Sequence, residues 1–122
     1  MNNSEHRISI QPGYVLVERP PNFEVIWSEQ PALLMELSTF CEASDCRKVI
    51  VLGPRTKVKL STIEAFDLGQ EIAKLGLRIA VVELHDASKE KVEFLENVAT
   101  NRGGPIQFFD SEQQAKDWLG IS

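Results

Sequence analysis

The sequence predicts an α/β fold in which helices pack on a mixed, mostly parallel β-sheet. Two nearly continuous apolar runs, Arg47–Leu52 and Leu77–Leu84, are typical of strands that are covered on both faces. Each run is followed by a segment in which apolar residues recur with helical spacing. Because strands that alternate with helices are joined by crossovers, neighbouring strands are expected to run parallel.

The first part of the chain predicts a β-hairpin. Arg7–Ile10 is a short strand, and Tyr14–Glu18 is a β-rich run that we expect to pair antiparallel to it. The turn between them is indicated by Gln11–Gly13, which contains a Pro-Gly pair. The segment Arg19–Asn22 ends the second strand, because its two prolines cannot donate to a strand ladder.

The first helix has two possible starts. Ser28 can cap it, which leaves Pro31 in the first turn, where a missing N–H costs little. Alternatively, the helix begins near Phe23 and kinks at Pro31. In either case an apolar stripe with helical spacing follows, formed by Leu33, Leu34, Leu37 and Phe40.

The second helix carries a strong start signal. Ser61–Glu64 reads Ser-Thr-Ile-Glu, a capping-box pattern in which the first and fourth residues exchange hydrogen bonds. The helix is predicted to run to about Leu75, with Gly76 as its stop and Gly69 allowing close approach to the sheet. Its expected inward residues are Ile63, Phe66, Ile72 and Leu75.

The last third predicts one more strand between two helices. Ser88–Thr100 is a helix ended by Asn101–Pro105, and Ile106–Phe109 is a short strand. Asp110 or Ser111 caps a final helix, whose Ala115, Trp118 and Leu119 are expected to dock on the domain. The predicted order is therefore β-β-α-β-α-β-α-β-α, in one domain over residues 1–122 with its core at about 7–119.

The net charge, the cysteine spacing and the lack of long apolar segments argue against several classes of function. The net charge of −5 opposes nucleic-acid binding unless one face is locally basic. The spacing of Cys41 and Cys46 matches neither a redox pair nor a zinc site, and His6 and His85 are too far apart to complete one. We expect free thiols, no metal and no cofactor. No apolar signal core opens the chain and no long apolar span occurs, so we expect a soluble cytoplasmic protein without a membrane span.

A basic segment is the first candidate binding feature. Arg55, Lys57 and Lys59 lie close together before a helix N-terminus, where an anion would meet both side-chain and backbone donors. His85 follows the next buried strand at the same end of the sheet. These four residues are candidates for binding a partner or an anion. Alternatively, Lys57–Leu60 alternates polar and apolar residues as a solvated edge segment does.

Enzyme hypotheses find little support. Ser61, His85 and Asp86 all follow parallel strands, but adjacent His and Asp residues make the orienting hydrogen bond of a hydrolase triad awkward. The chain has no Gly-x-Ser-x-Gly elbow, no Gly-x-Gly-x-x-Gly turn and no P-loop. We therefore expect no catalytic residues and no enzyme.

The order of elements resembles that of the STAS domain, and more narrowly its SpoIIAA-like branch, also called STAS/SEC14-like. The resemblance is carried by the central strand VIVL, the helix STIEAFDLGQEIAKLG, the strand LRIAVVELH, the segment VEFLENVATNRGGPIQFFDS and the terminal AKDWL. It covers roughly residues 14–119. It implies a SpoIIAA-like fold and a regulatory protein that acts by binding another protein.

The resemblance also implies site residues. In antagonist-type STAS domains this helix opens with Asp-Ser-Ser-Gly, whose serine is phosphorylated by a partner kinase. Here Ser61 and Thr62 occupy the hydroxyl positions, Leu60 replaces the acid and Ile63 replaces the glycine. Ser61 and Thr62 are thus the phosphoacceptor candidates, and a regulator or kinase-like protein is the expected partner. The alternatives are that Ser61 only caps the helix, and that a SEC14-like pocket binds a lipid or small molecule. The sequence gives no indication of the oligomeric state.

Overall fold

The computed structural model describes residues 6–21, 23–53, 57–82, 93, 97–98 and 105–121. The strands are β1 (Arg7–Gln11), β2 (Tyr14–Glu18), β3 (Glu24–Ile26), β4 (Lys48–Leu52), β5 (Lys57–Lys59), β6 (Arg78–Val82) and β7 (Ile106–Phe109). The helices are α1 (Gln30–Ser44), preceded by a 3-10 turn at Trp27–Glu29, α2 (Thr62–Leu75) and α3 (Glu112–Leu119). The helix predicted at 88–100 lies outside the described residues except for Glu93, Asn97 and Val98, which are helical.

Five strands form the main sheet in the order β1-β2-β4-β6-β7. The β1–β2 pair is antiparallel, with Arg7 opposite Glu18 and Gln11 opposite Tyr14, and the other three pairs are parallel. Gly13 completes the hairpin turn at a φ of 88°, a conformation that glycine adopts without a steric penalty. The predicted α/β class, with a mixed and mostly parallel sheet that begins in a hairpin, is confirmed.

The core consists of two apolar layers, one on each face of the sheet. Val49 and Val51 of β4 face α1 and α2, whereas Ile50 between them faces α3. All three are at most 5% exposed, as predicted for a strand that is covered on both faces. On the α3 side, Ala115 and Leu119 are buried against the sheet.

A second, two-stranded sheet was not expected from the sequence. β3 and β5 pair in parallel, with Glu24 opposite Lys57 and Ile26 opposite Lys59. The basic segment is therefore a strand over residues 57–59. The pairing sets the starts of α1 and α2 side by side, because each helix follows one of these two strands.

The start of α1 agrees with neither alternative in full. The helix begins at Gln30, with Pro31 in its first turn as the first alternative required. However, Ser28 lies within the 3-10 turn, and the helix start has no side-chain cap. The helix ends at Asp45, which adopts the left-handed conformation with a φ of 52°.

The ends of α2 agree with the sequence, but one inward residue does not. The capping box at Ser61 is formed, and Gly76 ends the helix at a φ of 66°. The expectation that Ile63 points inward is wrong, because its side chain is 74% exposed. The buried side of α2 is formed by Ala65, Leu68, Gly69 and Ile72.

Candidate functional site

The N-terminus of α2 is held in place by the residue just before it. Leu60 is only 1% exposed and belongs to the core layer under α1 and α2. The next three residues, Ser61, Thr62 and Ile63, are all exposed. A buried leucine therefore anchors the chain, and two hydroxyls and a large apolar side chain follow it on the surface.

The capping box occupies Ser61 but not Thr62. The Ser61 hydroxyl accepts a hydrogen bond from the backbone N–H of Glu64 at 3.1 Å. The Ser61 N–H in turn donates to the Glu64 carboxylate at 3.0 Å. The Thr62 side chain makes no hydrogen bond to any residue that the structure describes. Of the two predicted phosphoacceptors, Thr62 is thus the one whose hydroxyl is not used to hold the helix.

One basic candidate lies beside this helix start. Lys59 is exposed and stands two residues before Ser61, at the end of β5. The free backbone N–H groups of a helix N-terminus and its dipole favour an anion, and the Lys59 ammonium adds to that field. For Lys57 the structure describes only its place in β5, and Arg55 and His85 lie outside the described residues. The structure therefore brings together Ser61, Thr62 and Lys59.

An open groove runs between α1 and α2 and has a volume of about 590 Å³. Trp27, Pro31, Leu34 and Met35 form the apolar part of one wall, and Leu68 and Leu75 of α2 contribute the other. Met35 is 72% exposed at the edge of the groove. The groove follows the first half of α1 but the second half of α2, where its lining residues run from Asp67 to Leu75.

Charged side chains line the α2 edge of the groove. Asp67, Glu71 and Lys74 are the charged residues among those that border it. The Lys74 ammonium donates a hydrogen bond to the Glu71 carboxylate at 2.9 Å. The two opposite charges of this exposed ion pair cancel. Asp67 makes no hydrogen bond or ion pair with the described residues. Ile63 stands one turn before Asp67 on the same stripe of α2.

Gln30 is a buried polar residue on the other wall. Its side chain is only 7% exposed and lines the groove. Its amide nitrogen donates to the Ile26 carbonyl at 3.1 Å. Its amide oxygen accepts no hydrogen bond from the described part of the chain. Because buried polar atoms are normally satisfied, this oxygen is an acceptor available to a bound molecule.

Sequence reasoning missed the groove and the exposure of Ile63. The signal for Ile63 was present, because the buried residues Ala65, Leu68 and Ile72 recur with helical spacing, and Ile63 lies on the opposite side of that stripe. The alternation of Lys57–Leu60 was the available signal for β5. No comparable signal pairs β5 with β3.

The two cysteines are free thiols, as predicted. Burial, and secondarily the neighbouring Cys46, raise the pKa of Cys41 from 9.0 to about 11. Among the described residues, no group of three or more His, Cys, Asp or Glu side chains is arranged to hold a metal ion. No helix in the described part of the chain is long and apolar enough to span a membrane.

Comparison with known proteins finds a likeness among solved structures. No protein-family model matches the chain, and no curated protein matches it. A crystal structure of an uncharacterized protein of the DUF3478 family from Shewanella loihica PV-4, described as having a SpoIIAA-like fold, matches 98% of this chain and 98% of its own. The two share 19% sequence identity with a TM-score of 0.47.

Proposed function

We propose that this protein is a non-enzymatic regulatory module that binds another protein through the N-terminus of α2, with phosphorylation there as its control. The observation that carries the proposal is the run of exposed residues Ser61, Thr62 and Ile63 at a helix start that is closed by a capping box. An isoleucine that is 74% exposed favours contact with a partner, because such contact removes its apolar surface from water.

Phosphorylation would act on this surface without unfolding it. A phosphate group at a helix N-terminus meets free N–H groups and the positive end of the dipole. It adds about −1.5 to −2 of charge, which would repel or recruit a partner at the adjacent Ile63. Thr62 is the preferred acceptor of the two candidates. A phosphate on Ser61 would lie beside the Glu64 carboxylate, which is hydrogen-bonded to the Ser61 N–H.

The test is affinity purification of the tagged protein from its native host, followed by mass spectrometry. We expect a specific protein partner, and phosphate on Thr62 or Ser61 in part of the population. The Thr62→Asp and Ser61→Asp variants should change the recovery of that partner. Because aspartate also caps helices, Ser61→Asp changes the charge without removing the cap.

A matched substitution separates this surface from others. Ile63→Ser should reduce recovery of the partner, whereas Ile10→Ser should not, since Ile10 is 52% exposed on the edge strand β1. The proposal fails if partner recovery is the same for wild type, Thr62→Asp, Ser61→Asp and Ile63→Ser.

A second candidate function is a small-molecule or lipid-binding module of SEC14-like type. The observation in its favour is the groove between α1 and α2, whose volume of about 590 Å³ is in the range of ligand sites. A lipid or metabolite that co-purifies with the wild-type protein, in place of a protein partner, would support it. In that case Ser61 would be an ordinary helix cap.

A further inference from the structure

We infer that the groove between α1 and α2 binds an amphipathic helix of a partner protein, with basic residues beside the helix's apolar stripe. The inference rests on the proposed function, because it names the chemistry of the partner that such a module would bind. It is carried by different residues, Trp27, Gln30, Met35 and Asp67, and does not depend on phosphorylation of α2.

The shape of the groove favours a helix. Its wall on the α1 side runs from Trp27 in the 3-10 turn to Ser38 in α1. At about 2.0 Å per residue in the 3-10 turn and 1.5 Å in the helix, this wall is about 18 Å long. Both walls are helices, so a third helix can pack between them by the ridge-and-groove geometry of helix pairs. Proteins that bind amphipathic helices use apolar grooves of this kind.

The apolar surface gives the docking its driving force. Met35 is one of the three large apolar side chains that are strongly exposed in the described part of the chain. It borders the groove, where Trp27, Pro31 and Leu34 are apolar residues of the same wall. Methionine adapts its flexible side chain to different partners, so it suits such a surface.

The polar groups of the groove favour a basic partner. Asp67 has no ion-pair partner among the described residues, so a Lys or Arg side chain would pair with it. The amide oxygen of Gln30 is an acceptor on the opposite wall. A cationic helix supplies donors to both groups, and the net charge of −5 attracts it over longer distances.

The same charges disfavour an anionic lipid. The Asp67 carboxylate stands on the α2 edge without an ion-pair partner among the described residues, so it would repel an anionic headgroup there. The groove is also open: the Lys74 side chain is 69% exposed and that of Glu71 is 49% exposed. A small ligand normally has most of its surface enclosed by its site.

The test uses two model peptides of about 18 residues, or five helical turns. Both peptides have leucines on one helical face. The other face carries lysines in the first peptide and glutamates in the second. Tryptophan fluorescence of the full chain in the Trp118→Phe background reports on Trp27 alone, since the protein has two tryptophans. Isothermal titration calorimetry on the wild-type chain gives the same affinities if Trp118→Phe does not fold.

We expect the lysine peptide to shift the Trp27 emission and to bind at least about tenfold more tightly than the glutamate peptide. Asp67→Lys should weaken its binding by about tenfold. Asp117→Lys, the same change of charge on α3 at the opposite face of the sheet, should not. Similarly, Met35→Ser should weaken binding, and Ile10→Ser should leave it unchanged.

Several outcomes overturn the inference. Equal weakening by Asp67→Lys and Asp117→Lys would indicate non-specific attraction to an acidic protein. Equal affinity for the lysine and glutamate peptides would show that the bound helix does not need basic residues. Binding to anionic phosphatidylglycerol vesicles that Met35→Ser abolishes, with no peptide binding, would assign the groove to lipid. Sedimentation showing a dimer that Met35→Ser dissociates would assign it to a second copy of the chain.

These outcomes are distinguishable from failure of the proposed function. The peptide titration needs no phosphate and no native partner. If Asp67→Lys and Met35→Ser act as expected while Thr62→Asp, Ser61→Asp and Ile63→Ser leave native partner recovery unchanged, the groove inference stands and the proposed use of the α2 N-terminus does not.

Discussion

Ser61 and Glu64 hold the start of α2 by exchanging two hydrogen bonds. The hydroxyl of Ser61 accepts from the Glu64 N–H at 3.1 Å, and the Glu64 carboxylate accepts from the Ser61 N–H at 3.0 Å. Two backbone donors that the helix itself cannot satisfy are thereby paired. The exposed Thr62 between these residues sits on a helix turn that is already capped.

Removal of this cap should lower the stability of the domain. We expect Ser61→Ala to reduce the free energy of unfolding by about 0.5–2 kcal/mol, because the Glu64 N–H loses its acceptor. Ser61→Asp should be nearly neutral, since aspartate also caps. Urea denaturation followed by circular dichroism measures both. Thr62→Ala is the control, and a loss for Thr62→Ala equal to that for Ser61→Ala would contradict the cap.

The same substitution at two isoleucines of α2 should have very different effects on stability. Ile72 is 4% exposed and lies in the core, whereas Ile63 is 74% exposed. Ile72→Ala should therefore cost about 2–5 kcal/mol through lost burial and a cavity. Ile63→Ala should change the free energy of unfolding by less than about 0.5 kcal/mol, as surface substitutions usually do. Chemical denaturation measures both variants, and equal losses of stability would contradict the exposure of Ile63.

The end of α1 offers a stabilising substitution. Asp45 adopts a φ of 52° and is the one non-glycine residue with positive φ in the described part of the chain. Asp45→Gly should raise stability by about 0.5–1 kcal/mol, because glycine adopts this conformation without the steric penalty of a side chain. It also removes a negative charge from the negative end of the helix dipole.

The matched control for Asp45→Gly lies three residues earlier on the same helix. Glu42→Gly should lower stability by about 1 kcal/mol, the usual cost of glycine inside a helix. Differential scanning calorimetry of both variants shows whether their melting temperatures move in opposite directions. A fall in melting temperature for Asp45→Gly would argue against the left-handed helix end.

Cys41 should make the stability of the domain sensitive to alkaline pH. Burial and the neighbouring Cys46 raise its pKa from 9.0 to about 11, so the folded state disfavours the thiolate. The stabilisation from the protonated thiol is complete below pH 9 and is lost as the pH rises toward 11. Urea unfolding across this range measures the loss, and Cys41→Ala should flatten that part of the profile.

Thiol labelling checks the same difference in environment. At pH 8 in the native state, iodoacetamide should modify the half-buried Cys46 faster than the buried Cys41, because only the thiolate reacts and access is required. In denaturant both should react at similar rates. Equal native rates would contradict the burial of Cys41.

Features that depend on neighbouring residues could be predicted from the sequence alone. The strands Tyr14–Glu18 and Ile106–Phe109, the capping box at Ser61 and the helix stop at Gly76 all agree with the structure. Their signals lie within a few residues: alternation or apolar runs for strands, and a cap or a glycine for helix ends. The fold class follows from the order of such elements.

The pairing of β3 with β5, the groove and the solvent exposure of Ile63 were decided by the tertiary structure. Glu24 and Lys57 are separated by about thirty residues in the chain, and no local signal matches one to the other. That pairing sets α1 beside α2 and creates a groove from residues that belong to two separate helical stripes. The sequence determines which segments become helices and strands, because those choices are local. Packing of distant segments against one sheet determines which surfaces are left for a partner.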